Sequence, residues 1–193
     1  MSPTVPRRQG VILYGPPASG KDTISAALTS LDPRFQQFFR LKAGSGRSTG
    51  YRMGTVEQLA QLEAAGDVVY ANSRYDSTYI IDRPGLDEAF AAGIPVAHLG
   101  QVDGVRALLE RYPARWTTVL LWCSRAITEA RSQGRGDADT PARLAAWDAT
   151  EQDLAAHGEF AWDLTLTTQA RPPIESAQRI AQLLDQRREA TTA

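Results

Sequence analysis

Positions 15–23 of the chain read Gly15, Pro16, Pro17, Ala18, Ser19, Gly20, Lys21, Asp22 and Thr23. That is one residue away from the phosphate-loop pattern G-x-x-x-x-G-K-[ST]. Its two glycines let a short loop curl until backbone N–H groups face inward and donate to phosphate oxygens. A helix starting at Gly20 adds the positive end of its dipole. From the first turn, Lys21 reaches the β- and γ-phosphates and neutralises charge during phosphoryl transfer. Residues 15–23 are therefore read as an ATP site. The departure is Asp22, which stands where the pattern has Ser or Thr. A carboxylate is a hard oxygen ligand suited to Mg²⁺, either directly or through water. As a first-turn acid it also complements the helix dipole. Thr23 is placed to contact the α-phosphate.

A second concentration of chemistry lies downstream. Residues 33–56 contain no acid but hold Arg34, Arg40, Lys42, Arg47 and Arg52. Five positive charges in a chain of net charge −1 make a local field suited to a phosphorylated acceptor. The stretch 43–50, rich in Gly and Ser, has the composition of a loop that closes on substrate. Only Lys21 and Lys42 of the 21 basic residues are lysines. A chain that otherwise uses Arg keeps Lys where a compact ammonium is wanted.

The elements that must position these residues follow from periodicity. The apolar run 10–14 has the pattern of a strand buried on both faces, and 21–30 places Ile24, Ala27 and Leu28 on one helical face. Strands are expected at 35–41, 67–71, 94–99, 117–123 and 162–167. Helices are expected at 56–65, 84–92, 102–111, 124–133, 141–157 and 174–188. Such alternation predicts an α/β fold around a largely parallel sheet. The stretches 40–80 and 133–141 interrupt it and read as functional insertions.

With the loop, the insertions and residues 131–144 together, the chain resembles the guanylate-kinase-like branch of the P-loop nucleoside monophosphate kinases over most of 10–168. That family's lid carries Arg-x-x-Gly-Arg-Gly and then Arg-Leu, matched here by Arg131, Gly134, Arg135, Gly136, Arg143 and Leu144. The resemblance implies that Arg131, Arg135 and Arg143 close over the transferring phosphate as catalytic groups. By position, Arg40, Lys42, Tyr51 and Tyr75 are similar to the family's acceptor-phosphate ligands. The family's strand-end Asp-x-Asp has no counterpart in 96–104, nor does its guanine-binding Glu in 67–74, so guanine specificity is not expected. Gln101 and Asp103 are candidates for acceptor contacts there, and Tyr70, Tyr75 and Tyr79 for a base or sugar. The Gly-Lys-Asp variant of the loop, and the missing strand-end acids, also resemble the ribose 1,5-bisphosphate phosphokinase branch.

The resulting expectation is one domain with a three-layer P-loop nucleotide-kinase fold. Its core is 10–33 and 81–190, its acceptor-binding insertion 34–80, and its short lid 133–141. The cofactors implied are ATP and Mg²⁺, with Asp22 the metal ligand. The expected partner is a small phosphorylated acceptor: a nucleoside monophosphate, or alternatively a sugar phosphate or specialised metabolite. A third alternative is an inactive guanylate-kinase-like module that binds proteins. Composition bounds the rest. With 42% hydrophobic and 22% charged residues, the chain is of ordinary globular type. Neither its charge nor its short apolar runs suggest a nucleic-acid polymer or a membrane as partner. Positions 1–8 hold no apolar leader core, so a cytoplasmic location is expected. One cysteine, Cys123, forms no internal disulfide and reads as a small buried hydrophobe. His98 and His157 read as structural rather than catalytic.

Overall fold

A computed structural model describes residues 8–45, 48–74, 77–134 and 139–190. Five strands form the central sheet: β1 (Gln9–Tyr14), β2 (Phe35–Phe38), β7 (Ile94–Leu99), β8 (Arg115–Trp122) and β9 (Leu164–Thr167). They lie in the order β2-β7-β1-β8-β9, and every pairing is parallel. On β1, Val11 and Leu13 face one side of the sheet and Ile12 and Tyr14 the other, all fully buried. The first pair packs with Ile24 and Leu28 of α1 (Lys21–Leu31) and with Ala177, Ile180 and Leu184 of α7 (Pro173–Glu189). The second packs with Leu86 of α3 (Arg83–Ala92) and with Val102, Val105 and Leu108 of α4 (Val102–Arg111). Helices on both faces of a parallel sheet make the three layers that the alternation predicts.

A second sheet stands beside the carboxyl ends of the first. It contains β3 (Leu41–Gly44), β4 (Arg52–Gly54), β5 (Val68–Arg74) and β6 (Ser77–Asp82), ordered β4-β3-β6-β5. The β3–β4 pairing is parallel; the other two are antiparallel. Helix α2 (Val56–Ala65) is capped by the Thr55 hydroxyl, which accepts from the Gln58 amide. The structure here differs from the single strand expected at 35–41. The chain leaves the main sheet after Phe38 and enters the second sheet at Leu41, and both residues are buried, in different sheets. An apolar run with two destinations reads as one strand. β4 and β6 are additional to the predicted elements.

One buried cluster joins the second sheet to the core. Asp82, at the end of β6, caps α3 by accepting from the Gly85 amide at 2.8 Å. Its other oxygen pairs with Arg52 of β4, whose Nε donates to the Phe39 carbonyl. Beyond β8 run α5 (Arg125–Gly134) and α6 (Thr140–Ala156). Among the described residues no helix is long and apolar enough to cross a membrane.

Candidate active site

Four carbonyls of the loop between β1 and α1 are engaged by side chains. Lys21 Nζ donates to the carbonyls of Gly15 (2.7 Å) and Pro16 (2.8 Å). The Thr128 hydroxyl takes the Pro17 carbonyl at 3.1 Å, and Arg131 takes that of Ala18 at 2.8 Å. The Ser19 amide is spent within the loop, on the Pro16 carbonyl at 3.3 Å, so an anion would be received by the first amides of α1. Gly20 has φ +92° and caps α1 without a side-chain acceptor, so the helix's first amides are open to a ligand. At Gly15 a Cβ would lie 2.2 Å from the Leu121 carbonyl oxygen and 2.8 Å from Ser19 Oγ. Only glycine lets the loop pass so close to β8.

Burial, and secondarily the charge of Arg40, push the Lys21 ammonium down to about 8, against the pull of Asp22. An ammonium stripped of water and lodged among carbonyls is ready to exchange those contacts for phosphate oxygens.

Two cavities meet at this loop, sharing Pro17 and Lys21. One, of about 550 Å³, is lined by the loop and start of α1 together with Arg131, Arg143, Thr168, Arg171 and Pro173. Arg131 is anchored there by Ala18 and by the Thr168 carbonyl at 2.9 Å. Arg143, from α6, bonds Asp139 at 3.1 Å. Arg171 was not singled out by sequence; its Nε is buried without a partner. The other cavity, of about 600 Å³, lies between the loop, the second sheet and α6, and includes Arg40, Tyr51, Asn72, His98, Gln101 and Asp153 in its walls.

The sequence candidates divide accordingly. Arg40 reaches the 600 Å³ cavity, bonded to Asn72 Oδ1 at 3.3 Å. Tyr51 lines it too, its ring 5.1 Å from that of Tyr79. Gln101 accepts from the Tyr70 hydroxyl at 2.6 Å at the cavity's edge. Lys42 is 2% exposed, lies 5.8 Å from the rings of Tyr51 and Tyr79, and donates to the Ser45 carbonyl at 2.6 Å. It supports the wall from behind rather than lining it. Arg34 is engaged with Asp32 on the surface and Arg52 with Asp82, so neither joins the field expected from residues 33–56. Asp103 faces His157 at 3.6 Å and does not line either cavity. Arg47, Tyr75 and Arg135 lie outside the described residues.

His98, read as structural, also borders the site. It points into the 600 Å³ cavity, its Nε2 is 2.7 Å from Ser25 Oγ, and its Nδ1 is 3.5 Å from Asp22. Burial, reinforced by Lys21, pushes its pKa down to about 4, so the ring is neutral near pH 7. Asp153, also not singled out, accepts from the Tyr14 hydroxyl at 2.7 Å and the Val102 amide at 2.8 Å. Burial and the Asp153 carboxylate both raise the Tyr14 phenol above its ordinary range. The α6 wall of the cavity is Ala146, Ala149, Thr150, Asp153 and Ala156. That run of small and polar residues at helical spacing is the signal that marks the face.

The residues fit the groups the loop implies. The uncapped first turn of α1 beside Lys21 suits phosphate oxygens, and the Asp22 side chain, 84% exposed, is open to an ion at its mouth. Among the described residues no three His, Cys, Asp or Glu side chains form a cage for a metal. An ion here would take one carboxylate together with phosphate oxygens, a coordination that suits Mg²⁺.

Residues 54–185 match the model of a family described as chloramphenicol phosphotransferase-like protein. By fold the chain is similar to guanylate kinase from Anaplasma phagocytophilum, with a TM-score of 0.64, 16% identity, and coverage of 94% of this chain and 87% of that one. It is also similar to shikimate kinase from Acinetobacter baumannii, solved with shikimate, at a TM-score of 0.50, 16% identity and 95% coverage of each chain. No curated protein matches the sequence. The family match begins at Gly54, so the phosphate loop and Arg40 precede it and stand on their own geometry.

Proposed function

The chain belongs to the chloramphenicol phosphotransferase-like family and has the fold of the P-loop kinases; on that premise we propose that it moves the γ-phosphoryl of ATP, with Mg²⁺, onto the phosphate of a small acceptor. The coarse reading is a P-loop kinase-like phosphotransferase. A nucleoside monophosphate is the first candidate acceptor and a sugar phosphate the second. The observation that carries the reading is Lys21, placed where the two cavities join, with a cationic wall at Arg40 on one side and Arg131 and Arg143 on the other.

The loop amides and Lys21 would hold the β- and γ-phosphates, Asp22 the ion, and Thr23 the α-phosphate. Bound Mg²⁺ supplies charge neutralisation across the donor phosphates. Arg131 and Arg143 are set to stabilise charge on the moving group, a planar fork matching phosphate oxygens. Arg40 and Tyr51 would hold the acceptor on the opposite wall. In transfer, an acceptor oxygen bonds to the γ-phosphorus as its bond to the bridging oxygen breaks, and ADP departs. An acceptor phosphate is already anionic and needs no base.

One observation favours a second reading. Asp153 places a carboxylate in the acceptor cavity, where it would serve a hydroxyl acceptor by taking its hydrogen bond. The family description and one structural relative name such acceptors, chloramphenicol and shikimate.

The test is ADP release from ATP–Mg²⁺ with Lys21→Ala as control. The panel holds the ribo- and deoxyribonucleoside monophosphates, ribose 5-phosphate, ribose 1,5-bisphosphate, chloramphenicol and shikimate. Phosphorus NMR of the product separates a phosphoanhydride from a phosphate ester. Turnover lost in the variant, giving an anhydride, supports the first reading; an ester replaces it with the second. No turnover despite ATP binding would leave the inactive module in its place.

A further inference from the structure

We propose that Ser25, His98 and Gln37 form a positioning relay that fixes the Asp22 carboxylate as the protein's ligand to the nucleotide-bound divalent cation. This rests on the ATP–Mg²⁺ reading of the same loop and extends it to three residues outside the loop.

Asp22 stands in the first turn of α1 with its side chain 84% exposed. A carboxylate so exposed samples several rotamers unless something outside its own helix holds it. Here the neighbouring strand ends do. Gln37 of β2 sits beside Val96 of β7 in parallel register, with His98 two residues further along β7. The side-chain amide of Gln37 is 3.3 Å from Asp22 Oδ1 and 3.3 Å from His98 Nδ1. An amide nitrogen carries two hydrogens, one for each of these acceptors. This requires the lone pair of His98 on Nδ1 and its proton on Nε2, where Ser25 Oγ accepts at 2.7 Å. Ser25 is buried and one turn beyond Asp22 on α1, so the two share a helix face. The relay thus leaves α1 at Ser25, crosses the ends of β7 and β2, and returns to α1 at Asp22.

With that tautomer, each donor in the circuit meets an acceptor. Only one Asp22 oxygen is engaged, and the second is left for a cation. A hydrogen bond to so exposed a carboxylate adds little to folding. What it does is choose a rotamer. The relay therefore supplies from α1 the acid that β7 lacks, with an imidazole on β7 as part of the support.

The experiment uses the full chain and two probes, ATP alone by titration calorimetry and Mn²⁺–ATP by electron paramagnetic resonance. The variants are Asp22→Asn, Gln37→Leu, Gln37→Ala and Ser25→Ala. Metal-free ATP affinity should stay within about twofold of wild type in the Gln37 and Ser25 variants and should not fall in Asp22→Asn, which removes a negative charge beside the phosphates, while Mn²⁺ affinity in the ATP complex falls about tenfold or more in Asp22→Asn and by a smaller factor in the Gln37 and Ser25 variants. Restoring the amide as Gln37→Asn should recover part of the loss, which a packing role would not predict. Unchanged Mn²⁺ affinity in both Gln37 variants overturns the relay even if Asp22→Asn loses the ion. Parallel losses of metal-free and metal-bound affinity overturn it as well, since that marks general damage to the loop. A wild-type chain that binds no ATP removes the donor reading itself, and the relay with it.

Discussion

Removing the Asp153 carboxylate tests how the acceptor cavity is held together. One oxygen of Asp153 serves two donors: the hydroxyl of Tyr14 at 2.7 Å and the first amide of α4 at 2.8 Å. The helix has no capping bond from its own Gln101, so Asp153 acts as the cap from a distance. Losing a cap costs about 1 kcal/mol. Leaving the hydroxyl of the fully buried Tyr14 with only its long bond to the Thr150 carbonyl, at 3.4 Å, costs about 2 kcal/mol more. Asp153→Ala is therefore expected to lower stability by about 3 kcal/mol, and Tyr14→Phe, which leaves the cap in place, by about 1 kcal/mol. Because the stranded-hydroxyl cost vanishes once that hydroxyl is gone, the double variant should cost about 2 kcal/mol and fall short of the sum by about 2 kcal/mol. Urea unfolding of the four proteins reads all three quantities. An Asp153→Ala cost below about 0.5 kcal/mol, the range of an ordinary surface change, would refute the account. So would strict additivity with Tyr14→Phe.

Gly15→Ala should weaken ATP binding by about tenfold or more, since the new Cβ displaces the loop from the Leu121 carbonyl 2.2 Å away and misplaces donors whose geometry carries the affinity; calorimetry with ATP measures it. Arg52→Ala should destabilise the chain by about 2 kcal/mol, because the 3%-exposed Asp82 side chain loses its charged partner; the urea midpoint is the readout. The nucleotide-free protein should lose about 3 kcal/mol as pH falls from about 7 to 4 through His98 alone. Its folded pKa is about 4, against an ordinary value of 6.5, held down by burial and by the charges of Lys21 and Arg40 against Asp22. Within that window the unfolded chain takes up the proton and the folded one does not, so stability drops with pH and levels off below the folded value. His98→Gln should lack that part of the acid limb, and superimposable stability–pH curves for the two proteins would count against the assignment.

What the sequence made legible was whatever is local along the chain. β7 and α4 coincide with their predicted bounds because Gly93 and the Gly100–Gln101 step punctuate them. The phosphate loop was legible because its residues are contiguous. β6, though rich in β-branched residues, follows β5 across positions that carry no Gly or Pro turn signal. The charge window 33–56 misled for a related reason. Arg34 and Arg52 find their acids at Asp32 and Asp82, both outside the window, so a count within it overstates the free charge. Asp153, Asn72 and Arg171 are single polar residues whose meaning comes from contacts far along the chain. His98 looks apolar in context because its neighbours on β7 are, and only the arrival of Gln37 and α1 gives its two nitrogens something to do.

The arrangement of charge bears on which acceptors the larger cavity favours. Lys21 and Arg40 make one end of it cationic, and Asp153 makes the α6 side anionic. A ligand that is anionic throughout gains at one end and is repelled at the other, whereas one with a phosphate and a separate hydrogen-bond donor is matched at both. Neutral donors and acceptors between them, Asn72 and Gln101, already bond to Arg40 and Tyr70, so they offer a partly committed, polar middle. Among the described residues Tyr51 is the one phenol ring in that wall, and it is engaged by Tyr79. On the proposed function, such a cavity would favour a phosphate joined to a body that carries a separate hydrogen-bond donor. Asp153→Asn, which keeps the shape and removes the charge, should relax that preference toward more highly charged acceptors while leaving ATP affinity unchanged. Retained discrimination would instead place the selectivity on the Arg40 wall.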